Sequence, residues 1–405
     1  MKTHLIVVSL LAMVIFAACK KDVKLEDQHV KAGVLLSGAT LPGIIDTEVV
    51  LYNGTYYLNG KTFIKPGGNL VIHAGVIIKG ISKPTPAQAS ALVVTRGGLI
   101  HALGTVDQPV IFTSDNTIPA PGDWGGIVIL GSAPVNQAEP LIEGIDMPTL
   151  PPAVDMHYGG SYATDSSGVL RYVRIEWAGA ILTNDNELNS LTLGGVGSRT
   201  VLDYIQASYG LDDSFQFFGG TVNATHLVSL NTKDDILDFN LGYTGTVQYV
   251  LGIRRPGFVY SSANGIESDN GGGPFNIPIT RPAVSNVTMT GGETSALPGT
   301  QRAVYIKTNS GINITNSIFT GYGTGFQSTT PNVFTGNVVH AFSTLGIPAG
   351  NIGVVNSNNS NGGVELVDPF SVGVSFDPST TLAAHTDKGC NPAFDYWFLT
   401  WTAGL

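Results

Sequence analysis

Apolar and polar positions alternate with a period of two along much of the chain, and glycine interrupts the alternation every few residues. Between Leu51 and Asp115 the segments LNGKTFIKPGGNLVIHAGVIIKG and ALVVTRGGLIHALGTVDQPVIFTSD show this pattern. Successive side chains of a strand point to opposite faces, so such text predicts half-buried strands joined by tight turns. No stretch carries the 3.6-residue period of an amphipathic helix. From Asn186 to Asn270 the pattern becomes a repeat of an acidic pair, an apolar alternation, a glycine turn and a second strand. Asn186-Glu187 precedes LNSLTLGG, Asp212-Asp213 precedes SFQFFGG, Asp234-Asp235 precedes ILDFNLG, and Glu267-Ser268-Asp269-Asn270 follows an insertion. Asp212 and Asp213 stand 22 residues ahead of Asp234 and Asp235, and the same step aligns His226-Leu227-Val228 with Gln248-Tyr249-Val250. Asp203-Tyr204-Ile205 aligns 23 residues before His226-Leu227-Val228. Units of this length cannot bury a core alone and must stack. Built from strands and glycine turns, they predict the rungs of an all-β parallel β-helix.

Composition changes the expected domain count. A chain of 405 residues suggests two or three domains by length, whereas the repeat predicts one elongated domain over residues 35–405. Charged residues make up only 12% of the chain and glycine numbers 51, which disfavours long helices with charged outer faces. The formal net charge of −10 excludes nucleic acid and anionic membrane surfaces as main partners, because both require a basic face. It favours cations or neutral sugars.

Residues 1–18 combine Lys2 and His4 with the apolar run LIVVSLLAMVIF and end at Ala17-Ala18 before Cys19, which resembles a bacterial lipoprotein signal with its lipobox. The run is too short to span a bilayer and reads as a removed signal peptide. Cys19 is then the lipidated residue, and residues 19–34 form a tether, its charged stretch Lys20-Lys21-Asp22 to Glu26-Asp27 resembling the export signal of surface lipoproteins of the Bacteroidetes. The implied location is the outer membrane, at the cell surface. With Cys19 acylated, Cys390 has no partner within a chain of two cysteines, and no disulfide framework is possible.

The succession LVVTRGGLIHALGTVDQPVIFTS from Leu92 to Ser114 resembles the right-handed parallel β-helix repeat family. Its continuation through GDWGGIVI (residues 122–129), LRYVRIEWAG (residues 170–179) and the Asp-Asp repeats is similar to a group of Bacteroidetes surface lipoproteins. The resemblance covers most of residues 35–405 and implies a single-stranded, right-handed solenoid. Some members of that group carry a multidrug-transporter label, which this chain does not support: past the signal there is no apolar run of about 18 residues.

Two long segments interrupt the strands. Residues 132–168, rich in Pro, Gly, Ser and acids, and residues 256–282 are expected to project as loops, where sites are commonly found. The aromatic segment Phe394 to Trp401 is expected to cap the open end of the solenoid. Adjacent coils lie about 4.8 Å apart, so acids at matching positions approach closely. Like charges at that spacing repel by roughly 1 kcal/mol in water, and several-fold more where the effective dielectric falls to about 20. The acids Glu187, Asp212, Asp213, Asp234, Asp235, Asp238, Glu267 and Asp269 thus form a candidate calcium site, with Asp and Asn turn chemistry as the alternative role. Arg171, Arg174, Lys233, Arg254 and Arg255 are the bases expected nearest to it.

A calcium-assisted lyase needs such a cluster plus a base, and a glycosidase needs two carboxylates. Asn231-Thr232-Lys233-Asp234-Asp235 superficially resembles the acid motif of polygalacturonases, but their Gly-His-Gly and Arg-Ile-Lys signatures are absent. There is no His-Glu-x-x-His, Cys-x-x-Cys, Gly-x-Ser-x-Gly or phosphate-loop motif. His73 and His101 occupy similar places in successive units and read as structural, as do the tryptophans Trp124, Trp177, Trp397 and Trp401. The chain reads as a surface lipoprotein presenting a rigid β-helix to a glycan or another surface component. The rival reading is a calcium-assisted polysaccharide lyase or glycoside hydrolase on the same scaffold, and a third is a structural or adhesive surface protein.

Overall fold

Each coil of the molecule contributes three short strands, and each strand pairs in parallel with its counterparts one coil before and one coil after. The computed structural model describes residues 33–142, 145, 150–151, 154–183, 186–255, 258, 263–292, 301–328, 332–355, 389–390 and 397–405. These fall within one compact unit, Ala32–Leu405. Cys19, the signal and most of the tether lie outside the described residues.

The first sheet runs through Gly33–Leu35, Glu48–Leu51, Asn69–His73 and Leu99–Leu103. It continues in the leading halves of Gly168–Glu176, Val201–Ser208, Asn223–Leu230, Thr246–Ile253 and Ala283–Thr290. The second sheet runs through Gly54–Leu58, Val76–Gly80 and Val110–Ser114 into the trailing halves of those same long strands. The third sheet comprises Ile44–Ile45, Lys61–Ile64, Ala91–Val94, Gly126–Leu130, Leu191–Gly194, Phe215–Phe218, Leu237–Asn240, Ile266–Ser268 and Arg302–Ile306. Three parallel sheets traversed in turn are the expected right-handed parallel β-helix. Exceptions among the described residues include a 3-10 turn at Pro86–Gln88, an antiparallel hairpin of Ile181–Thr183 with Asn186–Glu187, and an antiparallel bridge between Leu141 and His157. No helix of the described residues is long and apolar enough to cross a membrane.

In five coils a single residue makes the corner between the first and second sheets. Tyr172, Tyr204, His226, Tyr249 and Asn286 have positive φ (50, 57, 55, 58 and 55°) and are skipped in the strand registers. Their rings stack up the corner, with centroids 4.4 Å apart for Tyr172 and Tyr204, 4.3 Å for Tyr204 and His226, and 5.1 Å for His226 and Tyr249. This corrects the expected alignment. His226 lies opposite Tyr249 and Tyr204 opposite His226, each one residue away from the step read in the sequence. The physical reason is the turn from third to first sheet, which has one more residue in Leu241–Gly245 than in Gly219–Val222. His73 and His101 also differ from expectation, because Val71 pairs with His101 and His73 with Leu103.

The interior is filled by one apolar row per strand, including Leu92, Ile127, Leu191, Phe215, Leu237 and Ile266. Trp124 is fully buried there, its indole N–H donating to the Glu176 carbonyl at 2.8 Å. Two layers lie outside the solenoid. The segment after Gly131, expected to project, lies flat instead: Ile142, Ile145, Val154, Met156 and Tyr158 cover Phe63, Val93, Val128 and Leu130 on the outer face of the third sheet. The apolar spacing within it demands burial that a projecting loop would not supply. The second expected loop, 256–282, contains the third-sheet strand Ile266–Ser268. The C-terminal aromatic segment does not cap an end. Phe398 and Trp401 pack laterally against Val228, Leu230, Leu251 and Ile253, and Gln206 exchanges two hydrogen bonds with the Ala403 backbone at 2.8 and 2.9 Å. Outward apolar residues on the second sheet, Val228, Leu230, Leu251 and Ile253, give that segment an apolar surface to bury.

Candidate functional site

The outer face of the third sheet carries one residue per coil in strict register: Phe63, Val93, Val128, Thr192, Gln216, Asp238, Glu267, Tyr305 and Gln327. The first three are apolar and covered. From Gln216 onward the row turns polar, and the predicted acids gather there.

Asp212-Asp213 and Asp234-Asp235 occupy the turn that leads into the third sheet in successive coils. Ser190 N–H donates to the Asp213 carbonyl at 2.9 Å, and Ser214 N–H to the Asp235 carbonyl at 3.0 Å. The inner acid of each pair also works in the turn. Asp213 Oδ1 accepts the Asp235 N–H at 2.8 Å, and Asp235 Oδ1 accepts the Asn264 N–H. Both are buried, at 5% and 4% exposure. The side chains of Asp213 and Asp235 thus tie successive coils together, and side-chain to backbone bonding coexists with a charged cluster. Carboxylate oxygens of Asp212, Asp213 and Asp234 all lie within 4.8 Å of one another. Calcium binds oxygens at about 2.3–2.6 Å, so ligands on opposite sides of it stand about 5 Å apart. The donor set fits such an ion in type and spacing.

Asp238 and Glu267 continue the cluster on the sheet itself. Gln216 Nε2 donates to Asp238 Oδ2 at 2.7 Å, whereas Asp238 Oδ1 is buried with no hydrogen-bond partner among the described residues. Asn264 Nδ2 reaches both Asp235 Oδ2 at 3.5 Å and Glu267 Oε2 at 3.3 Å. Glu267 pairs with Lys307, whose Nζ is also 3.8 Å from Asp269. Glu187, by contrast, sits on the hairpin with Ile181 and is not part of the three-aspartate group.

The electrostatics follow from burial and crowding. Burial, then the charges of Asp212 and Asp235, push the Asp213 carboxyl well above the ordinary range. Burial, then Asp234 and Glu267, do the same to Asp235. Burial, then Glu267, raises Asp238. Asp234 is raised by burial against the opposing charge of Arg254, and Glu267 by burial against its bond to Lys307. Burial acts to lower the Lys307 ammonium, but the hydrogen bond and charge of Glu267, aided by Asp238 and Asp269, outweigh it and raise its pKa. Without a cation, this cluster favours retaining protons.

The expected bases require correction. Arg254 is buried, and its guanidinium is taken up by three carbonyls: Thr232 at 3.3 Å, Ala263 at 3.4 Å and Asp234 at 2.6 Å. It acts as a fixed positive clamp and is not available to a substrate. Arg255 reaches the Gly404 carbonyl at 2.6 Å. Arg171 pairs with Asp203 at 3.4 Å and Arg174 with Glu176 at 2.5 Å, both on the first and second sheets. The base that meets the acids is Lys307, which sequence reading missed, along with Arg302 and Tyr305. Arg302 lies over the Tyr305 ring at 4.3 Å and donates to Gln327 at 2.5 Å. The alternation in Arg302–Ile306 was the available signal. Extra residues between Glu267 and Tyr305, which stand 38 positions apart, broke the 22-residue step that would have aligned them.

A model of the pectate-lyase like beta helix domain matches residues 43–402. No curated protein and no solved structure matches the chain significantly. The match spans nearly all of the solenoid, including the acidic turns, the floor around Asp238 and Glu267, and the docked C-terminal segment, so the chain belongs to the pectate-lyase like beta helix domain family.

Proposed function

We propose that this protein binds and cleaves an acidic polysaccharide on the polar half of the third sheet, with a calcium ion held by Asp212, Asp213 and Asp234. The observation that carries the reading is the convergence of acids from three successive coils with Lys307 on a lateral sheet face. When bound, calcium supplies positive charge that offsets the carboxylates and attracts a uronate. Asp235, Asp238, Glu267 and Asp269 shape the field around it. Lys307, paired with Glu267 and near Asp269, is an ammonium at neutral pH and suits the grip of a uronate carboxylate. In its free-amine form Lys307 would take the proton on the carbon beside the uronate carboxylate. In that elimination the C–H electron pair becomes a carbon–carbon double bond, and the glycosidic oxygen leaves with its bonding pair and is protonated by water. Incubation of the protein with a polyuronate and calcium should release chains with unsaturated, ultraviolet-absorbing ends, and Lys307→Gln should abolish that release. Reducing ends without unsaturation would instead indicate hydrolysis by the Asp238 and Glu267 carboxyls. Intact polymer after incubation with bound polysaccharide would leave a glycan-binding protein.

The second reading, a surface lipoprotein that binds glycan without cleaving it, is favoured by Ala17-Ala18-Cys19. Its anchoring element is compatible with either activity. Replacement of Cys19 by Ala should eliminate lipid labelling, and unchanged labelling would refute acylation at that residue.

A further inference from the structure

The chain leaving the acidic floor at Asp269 forms a loop whose base is locked and whose tip is apolar. Asp269 Oδ1 accepts the N–H groups of Asn270 at 2.5 Å and Gly271 at 3.1 Å. Asn270 is completely buried and ties the loop from several directions. Its Nδ2 donates to the Asn276 carbonyl at 3.1 Å, and its Oδ1 accepts from Thr280 N–H at 2.8 Å and Asn136 Nδ2 at 3.0 Å. Gln137 and Asn309 hold the carbonyls of Gly271 and Gly272 at 3.1 and 3.0 Å, and Asn276 N–H closes a turn onto the Gly273 carbonyl at 3.2 Å. A loop fixed this thoroughly nevertheless presents Phe275 at 90% exposure, Ile277 at 73% and Ile279 at 37%. A single exposed apolar residue needs no explanation; three within five residues on one rigid tip do.

We infer that Phe275 and Ile277 form a platform for the pyranose rings of the same acidic polysaccharide, at the rim of the charged floor. The inference rests on the site reading above and adds where the uncharged part of the ligand is recognised. Its warrant is continuity. Asp269 both closes the loop base and lies 3.8 Å from Lys307, which pairs with Glu267 on the floor. The four residues from Gly271 to Phe275 reach at most about 14 Å, so the tip stands within a few sugar units of the carboxylates. A pyranose has two kinds of surface to satisfy, a face of C–H bonds and a rim of hydroxyl and carboxylate oxygens. An aromatic ring complements the first, and a cation with Lys307 complements the second. Because the loop is already ordered by its side-chain bonds, docking a ring there carries little further ordering cost.

The test is calorimetric titration of the full chain with a defined uronate oligosaccharide in the presence of calcium. The Phe275→Ala/Ile277→Ala variant should bind roughly tenfold more weakly, with its calcium-induced shift in melting temperature unchanged. Phe275→Trp should restore the affinity, which a merely structural role for the loop would not predict. Wild-type protein that binds the oligosaccharide while the double variant binds equally well overturns the platform and leaves the acidic site standing. Wild-type protein that binds no uronate oligosaccharide at all overturns the site reading, and the platform with it. Loss of binding to anionic phospholipid vesicles in the double variant, with oligosaccharide affinity unchanged, would assign the tip to a lipid surface and also overturn the proposal.

Discussion

Two halves of one sheet face have been put to opposite uses. At Phe63, Val93 and Val128 the outward row of the third sheet is apolar and covered by the segment that follows Gly131. At Gln216, Asp238, Glu267 and Tyr305 the same row, in the same register, is polar and contains two acids, one of them paired with Lys307. The backbone is the same in both halves. What differs is how burial is satisfied: apolar residues gain by removal from water, whereas buried acids have to be hydrogen-bonded, paired or protonated. The anchors differ accordingly. The cover is lashed by Arg96, which pairs with Asp155 at 2.8 Å and Glu139 at 3.3 Å, while His157 Nδ1 meets Asp155 at 2.6 Å. The polar half holds acids together, with Lys307 and the buried Arg254 as local counter-charge.

The sharpest way to break the contrast is to exchange the two chemistries at register-equivalent positions. Val128→Asp places a carboxylate beneath the cover and should destabilise the fold by at least about 3 kcal/mol, measured by denaturant unfolding. Asp238→Leu in cation-free protein should cost less than about 1 kcal/mol or stabilise it, since it removes a buried, incompletely bonded acid.

Next in size is the effect of calcium. At a hundredfold excess over its dissociation constant, calcium should stabilise the protein by about 2.7 kcal/mol, and chelator should reverse this. Asp212→Asn combined with Asp234→Asn should remove the response while sparing the backbone bonds made by Asp213 and Asp235. An identical calcium response in that variant would refute the three-aspartate site.

The two halves should also respond to pH in opposite directions. For Asp213, Asp235 and Asp238 the folded pKa is raised above the unfolded value, so the native state binds more protons and cation-free stability falls as pH rises from about 4. Calcium should flatten that fall. Partial burial acts upward on Asp155, but hydrogen bonds from Arg96 and from His157 outweigh it and bring its carboxyl from 3.8 down to about 2. Its contribution is therefore present above the unfolded value and lost as pH falls towards the folded one. Melting temperatures from acid to neutral pH, in chelator and in calcium, check both signs.

The smallest effect is expected at the lash. Arg96→Gln should lower global stability by no more than about 1 kcal/mol, because both carboxylate partners are largely exposed. It should nonetheless increase hydrogen exchange in residues 154–158 without altering the calcium response.

Much of this was legible in the residues. Gly-punctuated alternation specified the parallel solenoid, and the spacing of Asp212-Asp213 and Asp234-Asp235 placed those acids on stacked turns. The corner residues were misaligned by one because a single added residue in a turn leaves the hydrophobic pattern of each strand intact. Lys307 was missed for a related reason: a long insertion separates its strand from Glu267, and Lys307 stands 38 positions after Asp269.

Periodicity is a local property, and the chain alone determined what local properties can: all-β strands, their inward and outward faces, the turn positions of the acids and the net negative charge that favours cations. Tertiary structure decided which outward faces are covered. It laid the segment after Gly131 flat on the third sheet, docked Phe398 and Trp401 on the second, turned Arg254 inward to three carbonyls and brought Lys307 to Glu267. Each of these depends on the relative burial of surfaces distant in sequence. Coil register, which accumulates every insertion along the chain, sets which of those surfaces meet.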